Sequence, residues 1–209
     1  MPSDTETHPT PAAMTGLLSY EEFLASYSNG GHLEWVEGKI QTMSPISREH
    51  SDVGLFLLSL MKSFIETKDL GVVLYDPFQM KTGPDLPGRA PDILFVAKKN
   101  LPRLKRLFLE GPGDLVVEII SPSSRAVDRG EKFFEYEQGG VPEFWLVDPD
   151  RKQAEFYLRG ADGIYRPVAV GVDGIYHCQA MPGLWLKVDW LWQSPLPATL
   201  SVLREWKLI

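Results

Sequence analysis

The chain has a single cysteine, Cys178, among its 209 residues, so no internal disulfide framework is open to it. A lone thiol is compatible with a reducing cytoplasm, which is the location expected. No apolar run approaches the roughly 18 residues that a bilayer span needs, and the longest candidate, Val53 to Leu60, is far too short. A basic-then-apolar leader is also missing. Residues 1–15 are polar and rich in Thr and Pro, and are expected to be a disordered leader. There is no excess of basic residues, because the formal net charge is −7. That balance weighs against indiscriminate nucleic-acid binding, whose affinity comes mainly from neutralising phosphates. Without repeats or a linker, residues 16–209 are expected to form one domain. At 44% hydrophobic and 23% charged, that domain can bury a proper core.

What is present reads as alternating helices and strands. Ser19 and Glu22 stand at capping-box spacing and open a helix that Asn29-Gly30-Gly31 closes. Leu33 to Met43 reads as a hairpin turning at Glu37-Gly38. Ser47 caps a long helix to about Glu66, with Val53, Phe56, Leu57, Leu60 and Phe64 on one face. Val72–Tyr75 and Phe78–Lys81 follow, broken by Asp76-Pro77, and then come two apolar strands starting near Pro91 and Asp114. One helix is expected from Asp128 to about Gln138, ended by Gly139-Gly140. Strands at Glu143–Asp148, Ala154–Leu158 and about Tyr165–Ala169 make a meander, and a short helix near Leu200–Trp206 ends the chain. The fold class is therefore α/β, a mixed sheet flanked by helices with an N-terminal hairpin and a C-terminal meander.

Two carboxylates interrupt the apolar strands. Asp92 opens Ile93-Leu94-Phe95-Val96, and Glu118 lies inside Leu115-Val116-Val117-Glu118-Ile119-Ile120. Acidic residues are depleted in strands, and Glu is almost never buried without a partner. Such a pair points to a shared positive charge. Mg²⁺ is the natural candidate, since one or two carboxylates hold it while phosphate oxygens and waters complete its shell. That chemistry belongs to phosphodiester substrates. Lys98, Lys99, Arg103, Lys105 and Arg106 form a local basic cluster, readable as a nucleic-acid contact or as a solvated loop. His177 and Cys178 are too few for zinc, which wants about four ligands.

These residues resemble the PD-(D/E)XK nuclease superfamily, and more closely the Uma-two-type restriction endonuclease family. The matching positions are Glu34-Trp35-Val36-Glu37-Gly38-Lys39-Ile40, Met43-Ser44-Pro45, His50, Pro91-Asp92-Ile93, and Val116 to Ser124. Asp128, Lys132, Tyr136 and Gly140 to Pro149 complete the set. The resemblance implies a restriction-endonuclease-like fold and a Mg²⁺-dependent endodeoxyribonuclease, with Mn²⁺ as a substitute ion. Asp92 and Glu118 would hold the metal with the Ile119 carbonyl. The superfamily lysine belongs two positions after Glu118, where this chain has Ile120; the resemblance assigns that role to Lys132 one helix onward. His50 takes the place of a residue that reaches the metal from the first core helix, and Glu49 is its alternative. DNA is the implied partner, and a homodimer follows by analogy, with the aromatic tail (Trp185, Trp190, Trp192) and the meander as candidate contact surfaces.

Plainer readings stay open for each residue. Asp92 also reads as a cap, Glu118 as part of a buried salt bridge, His50 as structural, Glu37 as a turn residue, and Tyr136 as core. Asp128 and Lys132 also read as a surface ion pair. The competing function is a decayed nuclease fold that binds nucleic acid or protein, which the acidic charge and Ile120 favour. A nuclease acting on RNA or branched DNA is not separable by sequence, and no serine-hydrolase set is present.

Overall fold

The computed structural model describes residues 17–26 and 32–209. The expected leader and the Asn29-Gly30-Gly31 helix stop lie outside those residues.

Local signals explain the first elements. Helix α1 (Tyr20–Ser26) is opened by a reciprocal capping box: Ser19 Oγ accepts the Glu22 N–H at 3.2 Å, and Glu22 Oε2 accepts the Ser19 N–H at 2.8 Å. Strands β1 (Leu33–Val36) and β2 (Lys39–Thr42) are joined by Glu37 and Gly38, with φ of 49° and 80°. Two successive positive φ values are what a two-residue hairpin loop requires. Helix α2 (Arg48–Lys68) starts at Ser47, whose side chain accepts the His50 N–H at 3.1 Å. It ends at Asp69 in the left-handed region. Its buried face is the expected one, extended to His50, Met61 and Ile65.

The strands divide into two main sheets. Six strands form the larger: β3 (Gly71–Tyr75), β6 (Ile93–Ala97), β8 (Leu115–Ile119), β9 (Glu143–Asp148), β10 (Gln153–Arg159) and β11 (Tyr165–Pro167). Their order is β11-β10-β9-β8-β6-β3, and the β8–β9 pair is parallel while the other neighbours are antiparallel. The N-terminal hairpin belongs to a second, five-stranded sheet ordered β2-β1-β5-β4-β7, with β4 (Gln79–Lys81), β5 (Gly88–Arg89) and β7 (Phe108–Glu110). Asp76-Pro77 is thus where the chain leaves one sheet for the other. A short pair, β12 (Ile175–His177) and β13 (Trp185–Lys187), completes the strands.

Period-two alternation sorts the central side chains. Ile93, Phe95, Leu115, Val117, Ile119, Trp145 and Val147 face α2 and the C-terminal segment; Leu94, Val96, Val116, Phe144 and Leu146 face the other side. The aromatic tail belongs to the first of these cores. Trp190 is buried there, and Trp185, Trp192 and Trp206 pack against it with helix α5 (Thr199–Glu205). Those rings cover apolar area of their own chain, and Trp185 and Trp192 remain half-buried. The expected single helix from Asp128 is two helices, α3 (Arg125–Arg129) and α4 (Glu131–Gly139). The break falls at Gly130, where a Cβ would stand 2.8 Å from the Ala126 carbonyl oxygen. Phe133 anchors α4 against Phe144, Tyr157 and Tyr165, whereas Phe134 is exposed.

Glu143, at the start of β9, ties the tail to the sheet. Its buried carboxylate accepts from Trp145 Nε1 (2.8 Å), Tyr176 Oη (2.7 Å) and the N–H groups of Gln179 (2.9 Å) and Ala180 (2.6 Å). Replacing it strands the buried donors of Trp145 and Tyr176, each costing about 1–3 kcal/mol if unsatisfied, and frees the half-buried N–H groups of Gln179 and Ala180. Glu143→Ala should therefore destabilise the protein by at least about 3 kcal/mol. Urea unfolding followed by tryptophan fluorescence checks this, and a loss below about 1 kcal/mol would refute it.

Candidate active site

The register of β6 against β8 pairs Ile93 with Val117 and Leu94 with Val116. One further step sets Asp92 opposite Glu118 on the same face of the sheet. Like charges directly opposed across a ladder are destabilising, so this pairing needs compensation. Asp92 Oδ2 accepts the Ile119 N–H at 2.6 Å, and Oδ1 lies 3.1 Å from His50 Nε2. Helix α4 serves Glu118. Lys132 and Tyr136, one turn apart on one face, reach its two oxygens: Tyr136 Oη donates to Oε1 at 2.6 Å and Lys132 Nζ to Oε2 at 3.0 Å.

Lys132 is shared more widely. Its ammonium is also 3.3 Å from Glu34 Oε1 and 3.2 Å from Asp128 Oδ1, and all four side chains are nearly inaccessible, with Lys132 itself 1% exposed. Buried charges of this kind persist only when paired. The surface reading of the Asp128–Lys132 pair is thereby corrected. It is an ion pair in the interior, formed across the Gly130 break rather than along one helix.

Arg89, also buried, stands behind this cluster. Nη1 donates to Glu34 Oε2 at 2.8 Å, while Nε and Nη2 grip Glu135 of α4 through two contacts of 2.7 Å. Glu34 Oε1 also accepts the Ala90 N–H at 3.2 Å. The guanidinium thus fixes hairpin strand β1 to the helix that carries Lys132. At the mouth, His32 Nδ1 pairs with Asp76 Oδ2 at 2.5 Å.

Glu34, His50, Asp76, Asp92, Glu118, Asp128 and Lys132 line a cleft of about 160 Å³, together with Ile119 and Ser121, Ser123 and Ser124. Ser121 caps the turn into α3, its hydroxyl accepting the Ser124 N–H at 3.1 Å. Five carboxylates (Glu34, Asp76, Asp92, Glu118 and Asp128) face the cleft, against the ammonium of Lys132 and the Arg89 guanidinium behind it. Burial pushes Glu118 well above the usual carboxylate range; Lys132 opposes the rise, and Asp128, Asp92 and Glu34 reinforce it. Asp128 is raised by burial, against the pull of Lys132. Asp76 is raised by burial too, against the pull of His32 and helped by Asp92. Burial works against the charge on Lys132, yet Glu118, Glu34 and Asp128 overcome it and raise its value. The same contest at Glu34 ends lower, because Lys132 and Arg89 outweigh its burial. His50 is raised despite burial by its contact with Asp92.

The donor set suits a hard divalent cation. It is all oxygen, and it carries more negative charge than its own cations balance. Oδ1 of Asp128 and Oδ1 of Asp76 are buried without a hydrogen-bond partner. Among the described residues no three His, Cys, Asp or Glu side chains are already gathered to hold a metal. Mg²⁺ does not require that, since one or two carboxylates and retained waters suffice.

The cleft brings together every residue expected at the site: Asp92, Glu118, Ile119, Lys132 and His50. Others lie elsewhere. Glu49 faces a different groove with Asp52 and Phe56, and Glu37 is exposed in its turn. The basic cluster starts at Lys98, at the end of β6 opposite Asp92, about 20 Å away at the rise of a strand. Lys98 there pairs with Asp69, and Lys105 with Glu110. Three groups were missed. Glu34, an acid in a short half-buried strand, carried the same signal as Glu118. Arg89 and Asp76 carried none, since only tertiary pairing makes them notable.

The model of the Uma2 family, described as "Putative restriction endonuclease", matches residues 20–189. The chain belongs to the Uma2 family. None of the curated proteins matches it. Among solved structures, a "putative nuclease belonging to DUF820" from Anabaena variabilis is similar at a TM-score of 0.64 and 18% identity, over 92% of this chain and 99% of that one. The likeness shows that the two share a fold. Within the Uma2 match fall Glu34, His50, Arg89, Asp92, Glu118, Asp128 and Lys132. The described residues contain no helix long and apolar enough to cross a membrane.

A carboxyl raised on folding contributes stability that is complete below its unfolded value and is lost as pH rises through the folded one. Ionised Asp128 is thus a burden at neutral pH. Asp128→Asn should melt higher than the native protein at pH 7, by about 2–4 °C. The gap should close on acidification towards the unfolded carboxyl value, about pH 4. Calorimetric melting at both pH values checks this, and a lower melting point for the variant at pH 7 would contradict it.

Proposed function

We propose that this Uma2 chain is a divalent-metal-dependent endonuclease hydrolysing phosphodiester bonds in DNA, with Mg²⁺ as the working ion and Mn²⁺ as its substitute. The observation that carries the reading is the Asp92–Glu118 pair, two carboxylates opposed on neighbouring strands with a lysine ammonium on one of them. Asp92, Glu118 and the Ile119 carbonyl would hold the ion. When bound it supplies Lewis-acid polarisation of a phosphate oxygen and neutralises charge that grows in the transition state.

The chain's own residues divide the remaining work. His50 Nε2 and the Ile119 N–H fix the two oxygens of Asp92, and Tyr136 fixes Glu118. Lys132 stays protonated among its carboxylates, so it acts as a positive charge that orients the attacking water and stabilises negative charge growing on the phosphoryl oxygens. Lys132, Glu118 and Asp128 are themselves buried, and the lower local dielectric strengthens each of these interactions. Ser121, Ser123 and Ser124 offer neutral hydroxyls at the rim, a way to meet a phosphate backbone without basic residues. Cutting both strands of a duplex takes two such clefts, and a homodimer belongs to the proposal on that ground alone.

One observation favours a second reading, a decayed nuclease fold retained for binding: both oxygens of Glu118 are already occupied by the chain's own donors. Plasmid cleavage in Mg²⁺ separates the two readings. The native protein should nick or linearise DNA, and Asp92→Asn, Glu118→Gln and Lys132→Met should each lose about 10²-fold or more in rate. Intact plasmid with the native protein, together with tight DNA binding, would favour the decayed module. Cleavage of RNA or branched DNA alone would move the substrate assignment.

A further inference from the structure

We propose that Asp128 is a third carboxylate of the cation site, and that in the metal-free protein the Lys132 ammonium holds the cation's place between Glu118 and Asp128. The inference rests on the cation-binding half of the reading above and adds a ligand and a competitor to it.

Asp128 is the first ground. Its side chain is 2% exposed and faces the cleft, yet Oδ1 makes no hydrogen bond and its one ion-pair partner is Lys132, 3.2 Å away. A buried carboxylate oxygen without a hydrogen bond is costly in a purely structural role. The contact distances are the second ground. Lys132 Nζ stands 3.0 Å from Glu118, 3.2 Å from Asp128 and 3.3 Å from Glu34. These are spacings set around an ammonium, whereas Mg²⁺ draws oxygens to about 2.0–2.1 Å. The carboxylates are therefore spread by the cation that occupies them now. That accounts for the lack of a gathered three-ligand set among the described residues.

The exchange has a place for the lysine to go. Glu34 is held from behind by Arg89 and the Ala90 N–H, so its Oε1 stays where Lys132 can keep it as a partner. Lys132 then turns away from Glu118 and Asp128 without losing its counter-charge. The bend at Gly130 puts Asp128 and Lys132 on separate helices, so one can move without the other.

Mn²⁺ titration by calorimetry tests this on the full chain. Asp128→Asn should weaken binding roughly tenfold or more, and Lys132→Met, which removes the competitor, should tighten it by a similar factor. Should Lys132→Met fail to fold, Mg²⁺ titration of native protein carrying ¹⁵N-labelled lysine reads the Lys132 Nζ resonance directly, and it should shift saturably with the calorimetric affinity. Unchanged affinity in Asp128→Asn, weaker affinity in Lys132→Met, or a Lys132 resonance that ignores bound Mg²⁺ would each overturn the proposal. Mn²⁺ binding that is lost in Asp92→Asn but indifferent to both variants would leave the nuclease reading standing alone. The predicted affinities without DNA cleavage would do the reverse. No binding by any form would remove both.

Discussion

One buried ammonium holds this site together. Lys132 lies within 3.3 Å of Glu34, Glu118 and Asp128, which come from strand β1, strand β8 and helix α3. Without it three carboxylates would face one another in a low-dielectric interior, and removing one partner of a buried pair typically costs about 3–5 kcal/mol. The two sheets and the helix pair therefore meet around a charge balance as well as around apolar packing. Arg89 is the second part of that balance. By taking Glu34 and Glu135 together, it leaves Lys132 shared rather than captured by a single acid.

That balance runs against stability. Five acids face a cleft served by two permanent cations, and burial raises Glu118, Asp128 and Asp76 above their ordinary values. A sheet selected for stability alone would not oppose Asp92 and Glu118. Perturbed acids concentrate at functional sites, where burial and like charges are tolerated for chemistry rather than for stability. Helix α4 serves both demands. Phe133 packs it on the aromatic cluster of β9, β10 and β11, while Lys132 and Tyr136 present their polar ends to Glu118.

Long periodic or strongly capped segments were legible in the sequence. The α1 capping box, the Glu37-Gly38 turn, the buried face of α2 and the β9–β11 meander follow from patterns a few residues apart. Strands β5, β7, β12 and β13 were not legible, because two or three residues cannot display alternation. The division into two sheets depends on pairings across more than forty residues, such as Trp35 with Gly88, which leave no local trace. Within the site, Asp92 and Glu118 stood out because acids contradict an apolar strand. Arg89 and Asp76 are ordinary in sequence and become informative only through what they meet. The core role of Trp190 was equally hidden, since aromatic content alone does not say which surface the rings cover.

The central claim is that the opposed carboxylates of Asp92 and Glu118 form a divalent-cation site. The most direct measurement is the anomalous scattering map of crystals soaked in Mn²⁺. The account predicts a single strong peak within bonding reach of both carboxylates, about 2.0–2.2 Å from an oxygen of each. A map with no peak there, in crystals whose cleft is ordered and open to solvent, would contradict it.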